Sequence, residues 1–414
     1  MKKNTFGPVL GCQICGAKDL QPVLSLGHQP IVQEYLTEEA LHEPEVTYPL
    51  NLVRCPICNL LQIDYIPEPA KVFPPNYPYR TGLTNMLVRN FRELSDVLFR
   101  DYHFEKGDLI IDIGSNDGTL LQGFKDKGMK VLGVEPTGAA KVANRNKIST
   151  IEDFFSDAIV SKILKKYGKA HIITCTNAFA HINDAKGLAK NVAKLMDKNS
   201  VFVSESQYLL DIIKKLEFDT IYHEHLRFYA LKPLIRLLGD AGLSVVDAER
   251  ISAAGGSIRV YARKGKLPSS KRVKDLIAEE EKVGLYDTKT LIAFAKKIYT
   301  AKNDLLTILL KCKKEGARIA GLTSSARSNT LLGFSKINET ILDYACEKNG
   351  SPKIGLYTPG THIPVVDEAR LLEDQPEYAL VLSWHIGEEL MKKTKAAGYI
   401  GKFIMPLPIP RIVN

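Results

Sequence analysis

The chain has 414 residues, enough for about three domains at roughly 150 residues each. Its 45% hydrophobic and 25% charged content excludes a disordered chain, a collagen-like fibre and a disulfide miniprotein. The net charge, 56 minus 47 or +9, favours anionic partners (nucleic acid, a membrane surface or phosphorylated small molecules) without choosing among them.

No stretch approaches the ~18 uninterrupted apolar residues that would span a bilayer. The start, MKKNTFGPVLG, has no apolar h-region, because Gly7, Pro8 and Gly11 interrupt it. A signal peptide is therefore not expected, which points to a cytoplasmic protein. Four of the seven cysteines form two C-x-x-C pairs, Cys12–Cys15 and Cys55–Cys58, separated by 39 residues. Two such turns complete a tetrahedral four-thiolate site, which predicts a closed, structural Zn2+. Gly16 and Asn59 follow the pairs, and both tolerate the left-handed backbone that a metal-binding turn often needs. The alternatives are disulfides or free thiols. Without secretion, disulfides are disfavoured. Cys175, Cys312 and Cys346 read as small buried hydrophobes.

The middle of the chain predicts a nucleotide-binding α/β domain. DLIIDIG (108–114) reads as a strand, followed by the turn and helix start SNDGTLLQGF. Asp112, Gly114, Asn116 and Gly118 lie in that turn motif, D-I-G-S-N-D-G, at the strand's carboxyl end, where such sheets bind ligands. The spacing departs from G-x-G-x-x-G, so a dinucleotide fits poorly. A second strand, KVLGVEP, ends in Glu135 and Pro136; the carboxylate can accept hydrogen bonds from both ribose hydroxyls. A third, STIEDFF, would bring Asp153 to an adenine amino group and Phe154 over its ring. HIITCTN ends in Asn177, and SVFVSES is a fifth strand. Strands alternating with helical segments imply a parallel sheet. These residues resemble the S-adenosylmethionine site of class I methyltransferases. The resemblance implies that Asp112 and the Gly114 turn lie by the methionyl part, Glu135 by the ribose and Asp153–Phe154 by the adenine.

FDTIYHEHLRFYAL (218–231) puts two histidines and a carboxylate in three consecutive residues. A histidine can act as a general base, an adjacent carboxylate can fix its tautomer, and a tyrosine can stabilise an oxyanion. A solvated surface cluster or a second metal site remains the alternative. In AAGGSIRVYARKG, Gly255–Gly256 would allow backbone approach, and Ser257 and Arg259 could hold an anionic or hydroxylated ligand. Residues 266–314 read as linking helices with solvated charged faces. A second α/β pattern follows: RIAGLTSSARSNTLL as strand, turn and helix start, then KIGLYTPGTHIPVV, YALVLSWHIGEELM and the closing KFIMPLPIP. The S-S-A-R-S-N-T turn offers Arg327 and hydroxyls at a helix N-terminus, which suits phosphate, or it is an ordinary capped helix. Trp384, the single tryptophan, is assigned to core.

The order of these parts resembles the nucleotide-sugar C-methyltransferases of deoxysugar biosynthesis, in particular the 3-C-methyltransferases of thymidine-diphospho-4-keto-deoxysugars. The matching pieces are CQICG, CPICNLLQ, NYPY, DIGSNDGTLL, YHEHLRFY, GGSIR, SNTLL, PGTHIP and PLP, which span nearly all the chain. The resemblance implies an α/β architecture. A zinc-knuckle domain would cover 1–75, a class I methyltransferase Rossmann-like domain 76–265, and a second Rossmann-like nucleotide-sugar domain 266–414. It implies that His225 abstracts the C3 proton acidified by the 4-keto group. Tyr222 and Glu224 would position the base or stabilise the oxygen, with Tyr77 or Tyr79 reaching in. The enolate would take the methyl in line, with inversion at C3. Asn177, His181, Arg327, Asn329 and His362 become candidates for the nucleotide sugar. The enzyme is expected to act as a monomer, without nucleic-acid or membrane partners. The chain departs from the family pattern at RTGLTN, at Ala254 and at Arg327–Ser328, which leaves the base and sugar open. A zinc-ribbon RNA methyltransferase is the alternative, weakened by few Lys or Arg near the knuckles. A non-enzymatic binding protein on the same scaffold is a further one.

Overall fold

The computed structural model describes residues 6–83, 85–102 and 104–414. The first five residues of the N-terminal stretch and Thr84 of the RTGLTN run lie outside them. Strands Gln21–Gln29, Tyr48–Arg54 and Leu61–Ile63 form an antiparallel sheet that buries Leu24, Leu26, Leu50 and Leu52. Its fourth strand comes from far along the chain: Arg227–Phe228 pairs antiparallel with Leu61–Gln62. The HEHLRF segment is thus stitched into the zinc-knuckle domain.

The central sheet has seven strands in the order Leu243–Ile251, Ser257–Lys264, Met196–Gln207, Ala170–Thr176, Leu109–Ile113, Lys130–Val134 and Thr150–Ile151. Only Ser257–Lys264 runs against the rest. Successive side chains leave opposite faces, as the two-residue period requires. Ile110, Ile172, Val201 and Val203 join one apolar cluster, while Ile111, Ile173 and Phe202 join the other. Helix Asn85–Asp101 covers the first face, burying Leu87, Phe91, Leu94 and Leu98 at a helical repeat. Helices Asp157–Tyr167 and Ala185–Leu195 cover the second.

Helices Lys271–Lys282 and Thr288–Lys314 link to the last domain. Its six strands run Val365–Asp367, Tyr344–Glu347, Ile319–Leu322, Tyr378–Val381, Lys402–Met405 and Arg411–Val413 across the sheet. The first five are parallel and the last is antiparallel. The order reverses between Ile319–Leu322 and Tyr378–Val381, the kind of switch point beside which open α/β sheets bind ligands.

The fold is the expected α/β arrangement of a four-cysteine domain and two doubly wound domains. Details differ from the sequence reading. STIEDFF yields only the strand Thr150–Ile151, because the chain turns outward and exposes Asp153 and Phe154. KIGLYTPGTHIPVV yields only Val365–Asp367, since Pro359 and Gly360 force a turn. Tyr344–Glu347 is a strand with no alternation to announce it. No helix among the described residues is long and apolar enough to cross a membrane.

Candidate active site

The two cysteine turns meet. Cys12 and Cys58 Sγ are 3.4 Å apart, as are Cys15 and Cys55 Sγ, and all four lie within 4.8 Å of one another. Thiolates around one zinc stand about 3.8 Å apart, so the set fits a closed tetrahedral ion. Gly16 and Asn59 both take the left-handed backbone, with φ of 79° and 62°. The hydrogen bond between Cys12 and Cys58 lowers Cys12 and raises Cys58, so the pair shares a proton that a metal would displace.

A cavity of about 400 Å³ opens at the carboxyl edge of the central sheet. Asp112, Gly114, Asn116, Glu135, Pro136, Phe154 and Asn177 line it, together with Tyr77, Tyr79 and His181. Gly114 has φ 74°, and a Cβ there would lie 2.5 Å from Ala178 Cβ, so only glycine fits. Glu135 is locked in the turn: its Oε2 accepts from Asn116 N at 3.0 Å and its Oε1 from Thr137 N at 2.9 Å. Burial pushes the Asp112 carboxyl up to about 7, against a hydrogen bond from Thr174 Oγ1 at 2.7 Å. Two expected contacts lie elsewhere. Gly118 starts helix Thr119–Lys125 and faces Ile148 on the far side of the turn. Asp153 is exposed and accepts from Phe154 N at 2.7 Å, because its strand ends two residues earlier.

Beside this cavity stands a chain of rings. Phe73 stacks on His181 at 5.6 Å, His181 lies 5.0 Å from His225, and His225 lies 4.2 Å from Tyr222. His225 Nδ1 is 2.6 Å from the Thr220 carbonyl, so Nδ1 carries the proton and donates it there. That leaves Nε2 as an acceptor. Burial holds His225 down at about 4, so it is neutral around pH 7. Tyr77 donates to Glu224 Oε2 at 2.7 Å, while Glu224 Oε1 is buried with no hydrogen-bond partner among the described residues. Desolvation raises Glu224 to about 7.

Comparison with known proteins bears on this arrangement. Residues 12–73 match a zinc-binding domain family, 85–248 a methyltransferase domain and 252–408 the C-methyltransferase C-terminal domain. Over 411 residues the chain is 29% identical to the C-methyltransferase NovU of Streptomyces niveus, covering 98% of this chain and 97% of that one. These three matches in this order, and the likeness to NovU along nearly the whole of both chains, support a C-methyltransferase.

Solved structures similar to this chain include two that cover less than half of it. Magnesium protoporphyrin IX methyltransferase from Synechocystis with bound S-adenosylmethionine is 15% identical, covering 44% of this chain and 80% of that one, at TM-score 0.34. A methyltransferase complexed with its Trm112 activator from Haloferax volcanii is 14% identical, covering 44% and 92%, at TM-score 0.36.

The C-methyltransferase uses S-adenosylmethionine, and the cavity suits it. Its lining includes the carboxylates of Asp112 and Glu135, the Gly114 approach and the Phe154 ring. Leu87, Phe91, Thr137, Asn183 and Asn191 also line the cavity and were not anticipated. Leu87, Phe91 and Asn191 come in on helices, Thr137 follows Glu135–Pro136 in the turn, and Asn183 lies in the loop before helix Ala185–Leu195.

The other expected ligand contacts are placed as follows. Ser257 is fully buried and donates to the Ala253 carbonyl at 3.0 Å. Arg259 is spent inside the fold, with Nε and Nη2 on Glu205 at 3.1 and 2.9 Å and Nη1 on Glu249 at 3.1 Å. Gly255 and Gly256 admit side chains rather than a ligand: a Cβ would meet Glu217 at 2.6 Å and Asp211 at 2.3 Å. Arg327 is buried in a bidentate pair with Asp219 at 3.0 and 2.8 Å. Asn329 donates to the Val32 carbonyl at 2.7 Å and leaves its Oδ1 unpaired among the described residues. His362 lies at φ 52°, 3.2 Å from Glu45. Val32, Tyr222 and Ala326, one from each domain, pack together, so the ring cluster lies where the three domains meet.

Proposed function

We propose that this C-methyltransferase methylates C3 of a nucleoside-diphosphate 4-keto-deoxysugar through an enolate, with inversion at C3 and with thymidine diphosphate as the favoured nucleotide. The observation that carries the reading is His225: neutral, its Nδ1–H given to Thr220, its Nε2 left to accept, and His181 between it and the donor cavity. A carbon nucleophile needs such a base, because the methyl acceptor must first lose a proton from carbon. When bound, S-adenosylmethionine supplies an electrophilic methyl on sulfonium.

His225 Nε2 takes the C3 proton as the 4-keto oxygen gains charge. Glu224, paired with Tyr77 and raised toward neutrality, can present a proton to that oxygen, and Tyr222 offers a phenol beside it. Tyr79 at the cavity mouth closes over the reacting edge. This divides the work among residues 1–75 for zinc, 76–265 for the methyl donor and 266–414 for the nucleotide sugar, with Asn329 and His362 on the sugar side. The enzyme is read as working as a monomer. A general base contributes about 10²- to 10⁴-fold. The test is deuterium wash-in at C3 of thymidine-diphospho-4-keto-deoxysugar in D₂O with the demethylated donor product bound. Exchange should be fast with wild type and at least 100-fold slower with His225→Ala. Wild-type enzyme that leaves C3 unexchanged refutes the enolate, and near-normal exchange in the variant removes His225 as base.

A further inference from the structure

Residues 217–220, just upstream of the base, are gripped by the C-terminal domain. Asp219 has no exposed surface, yet three N–H groups converge on its carboxylate. Arg327 Nε donates to Oδ2 at 3.0 Å and Nη2 to Oδ1 at 2.8 Å, and Trp384 Nε1 donates to Oδ2 at 2.8 Å. Arg327 opens helix Ala326–Ser335 after strand Ile319–Leu322, while Trp384 follows strand Tyr378–Val381. These are the two adjacent strands at which the C-terminal sheet reverses its order. The guanidinium also lies 5.5 Å from the centre of the Trp384 ring, and Phe218 packs edge-on against Phe334 at 5.3 Å.

A buried ion pair is weak evidence of stability, since desolvation offsets most of its attraction. What two anchors on one carboxylate do supply is a fixed position. The residue after Asp219 is the one whose carbonyl, Thr220 O, accepts from His225 Nδ1 at 2.6 Å. A histidine's tautomer is set by the hydrogen bond its other nitrogen makes.

We propose that Asp219 is a positioning residue. Clamped by Arg327 and Trp384, it holds the Thr220 carbonyl against Nδ1 and so keeps the lone pair of His225 on Nε2. The seating of the C-terminal domain thereby sets the protonation pattern of a base in the central domain. This rests on reading His225 as the base, and the test separates the two.

The experiment uses the full zinc-loaded chain with ¹⁵N-labelled histidine. Asp219→Asn replaces one accepting oxygen with an amide N–H that faces Arg327 and Trp384. Trp384→Phe removes a single donor and keeps the ring packing. In wild type the His225 Nδ1 resonance should be that of a protonated nitrogen and Nε2 that of a bare one. In Asp219→Asn the two should become mixed, and C3 exchange should fall tenfold or more, with the Kd of the demethylated donor and the KM of the sugar within twofold. Trp384→Phe should give a smaller drop in the same direction. Unchanged tautomer and exchange within twofold in both variants would overturn the proposal. If Asp219→Asn does not melt cooperatively, Trp384→Phe decides alone. Absence of exchange in wild type counts against the substrate reading, while the nitrogen resonances, which need no sugar, still decide this one.

Discussion

Arg259 offers a direct test of how the structure redistributes charge. In the GGSIR motif it suggests an anion ligand, but here it neutralises Glu205, which has no exposed surface. Glu205 is otherwise held by Asn90 Nδ2 at 2.9 Å and by the Asn177 side chain. Arg259→Ala would remove both guanidinium bonds to that carboxylate and leave a buried charge with neutral donors alone. Breaking a buried pair from one side costs about 3–5 kcal/mol. For a domain of this size each kcal/mol lowers Tm by roughly 2–4 °C, so a fall of about 10 °C is expected. Thermal melts of wild type, Arg259→Ala, Arg259→Met, Glu205→Leu and the Glu205→Leu/Arg259→Met pair measure it. The double variant should recover much of the loss, with a coupling of about 1–3 kcal/mol. If Arg259→Ala melts within about 2 °C of wild type while KM for the nucleotide sugar rises tenfold, Arg259 is a substrate ligand and the reasoning fails.

Gly114→Ala should abolish binding of the demethylated donor by calorimetry, because φ 74° and a 2.5 Å approach to Ala178 leave no room for a methyl. Stripping zinc with a chelator should abolish C3 exchange along with the metal, one ion per chain by elemental analysis. Gln13, inside the first knuckle, accepts from Arg227 and donates to the Leu226 carbonyl, so the HEHLRF segment loses its support. His223, 1% exposed with Nε2 3.1 Å from the Pro49 carbonyl, is held by burial down at about 4 instead of 6.5. A depressed histidine leaves stability untouched above the unfolded value and lowers it as the unfolded chain takes up a proton. Wild type should therefore lose roughly 3 kcal/mol more than His223→Gln between pH 6.5 and 4 in urea titrations.

What the sequence displays is whatever depends on neighbours in the chain. Cys12, Cys15, Cys55 and Cys58 announce their turns by spacing, and Gly16 and Asn59 supply the positive φ each turn takes. D-I-G-S-N-D-G and Glu135 announce a strand-end site because the βα turn is itself local. Asp153 misleads because the strand ends at Ile151, which no residue type marks. Arg259 and Arg327 mislead for a different reason. Their partners, Glu205 and Asp219, lie 54 and 108 residues away, and a motif conveys a side chain's chemistry but not its partner. Trp384 is core, as its size suggests, yet its N–H reaches Asp219. The sequence contains both residues and nothing that pairs them.

The segment 217–231 belongs to no single domain. Its Asp219 is held by the C-terminal domain, its Arg227–Phe228 strand completes the zinc-domain sheet, and its His223 leans on Pro49. Each attachment alone is modest, but together they constrain one stretch of chain from three directions. A base whose Nδ1 must face one carbonyl tolerates displacements of only a few tenths of an ångström before that hydrogen bond weakens. Cutting the chain into its domains would then leave the donor cavity nearly whole, since most of its lining follows residue 76, and yet release the base from its anchors. Donor binding should survive such separation and C3 exchange should not. If a fragment of residues 76–265 exchanged C3 at the full-length rate, the three-way anchoring would be dispensable and the fold's interlocked sheet would need another reason.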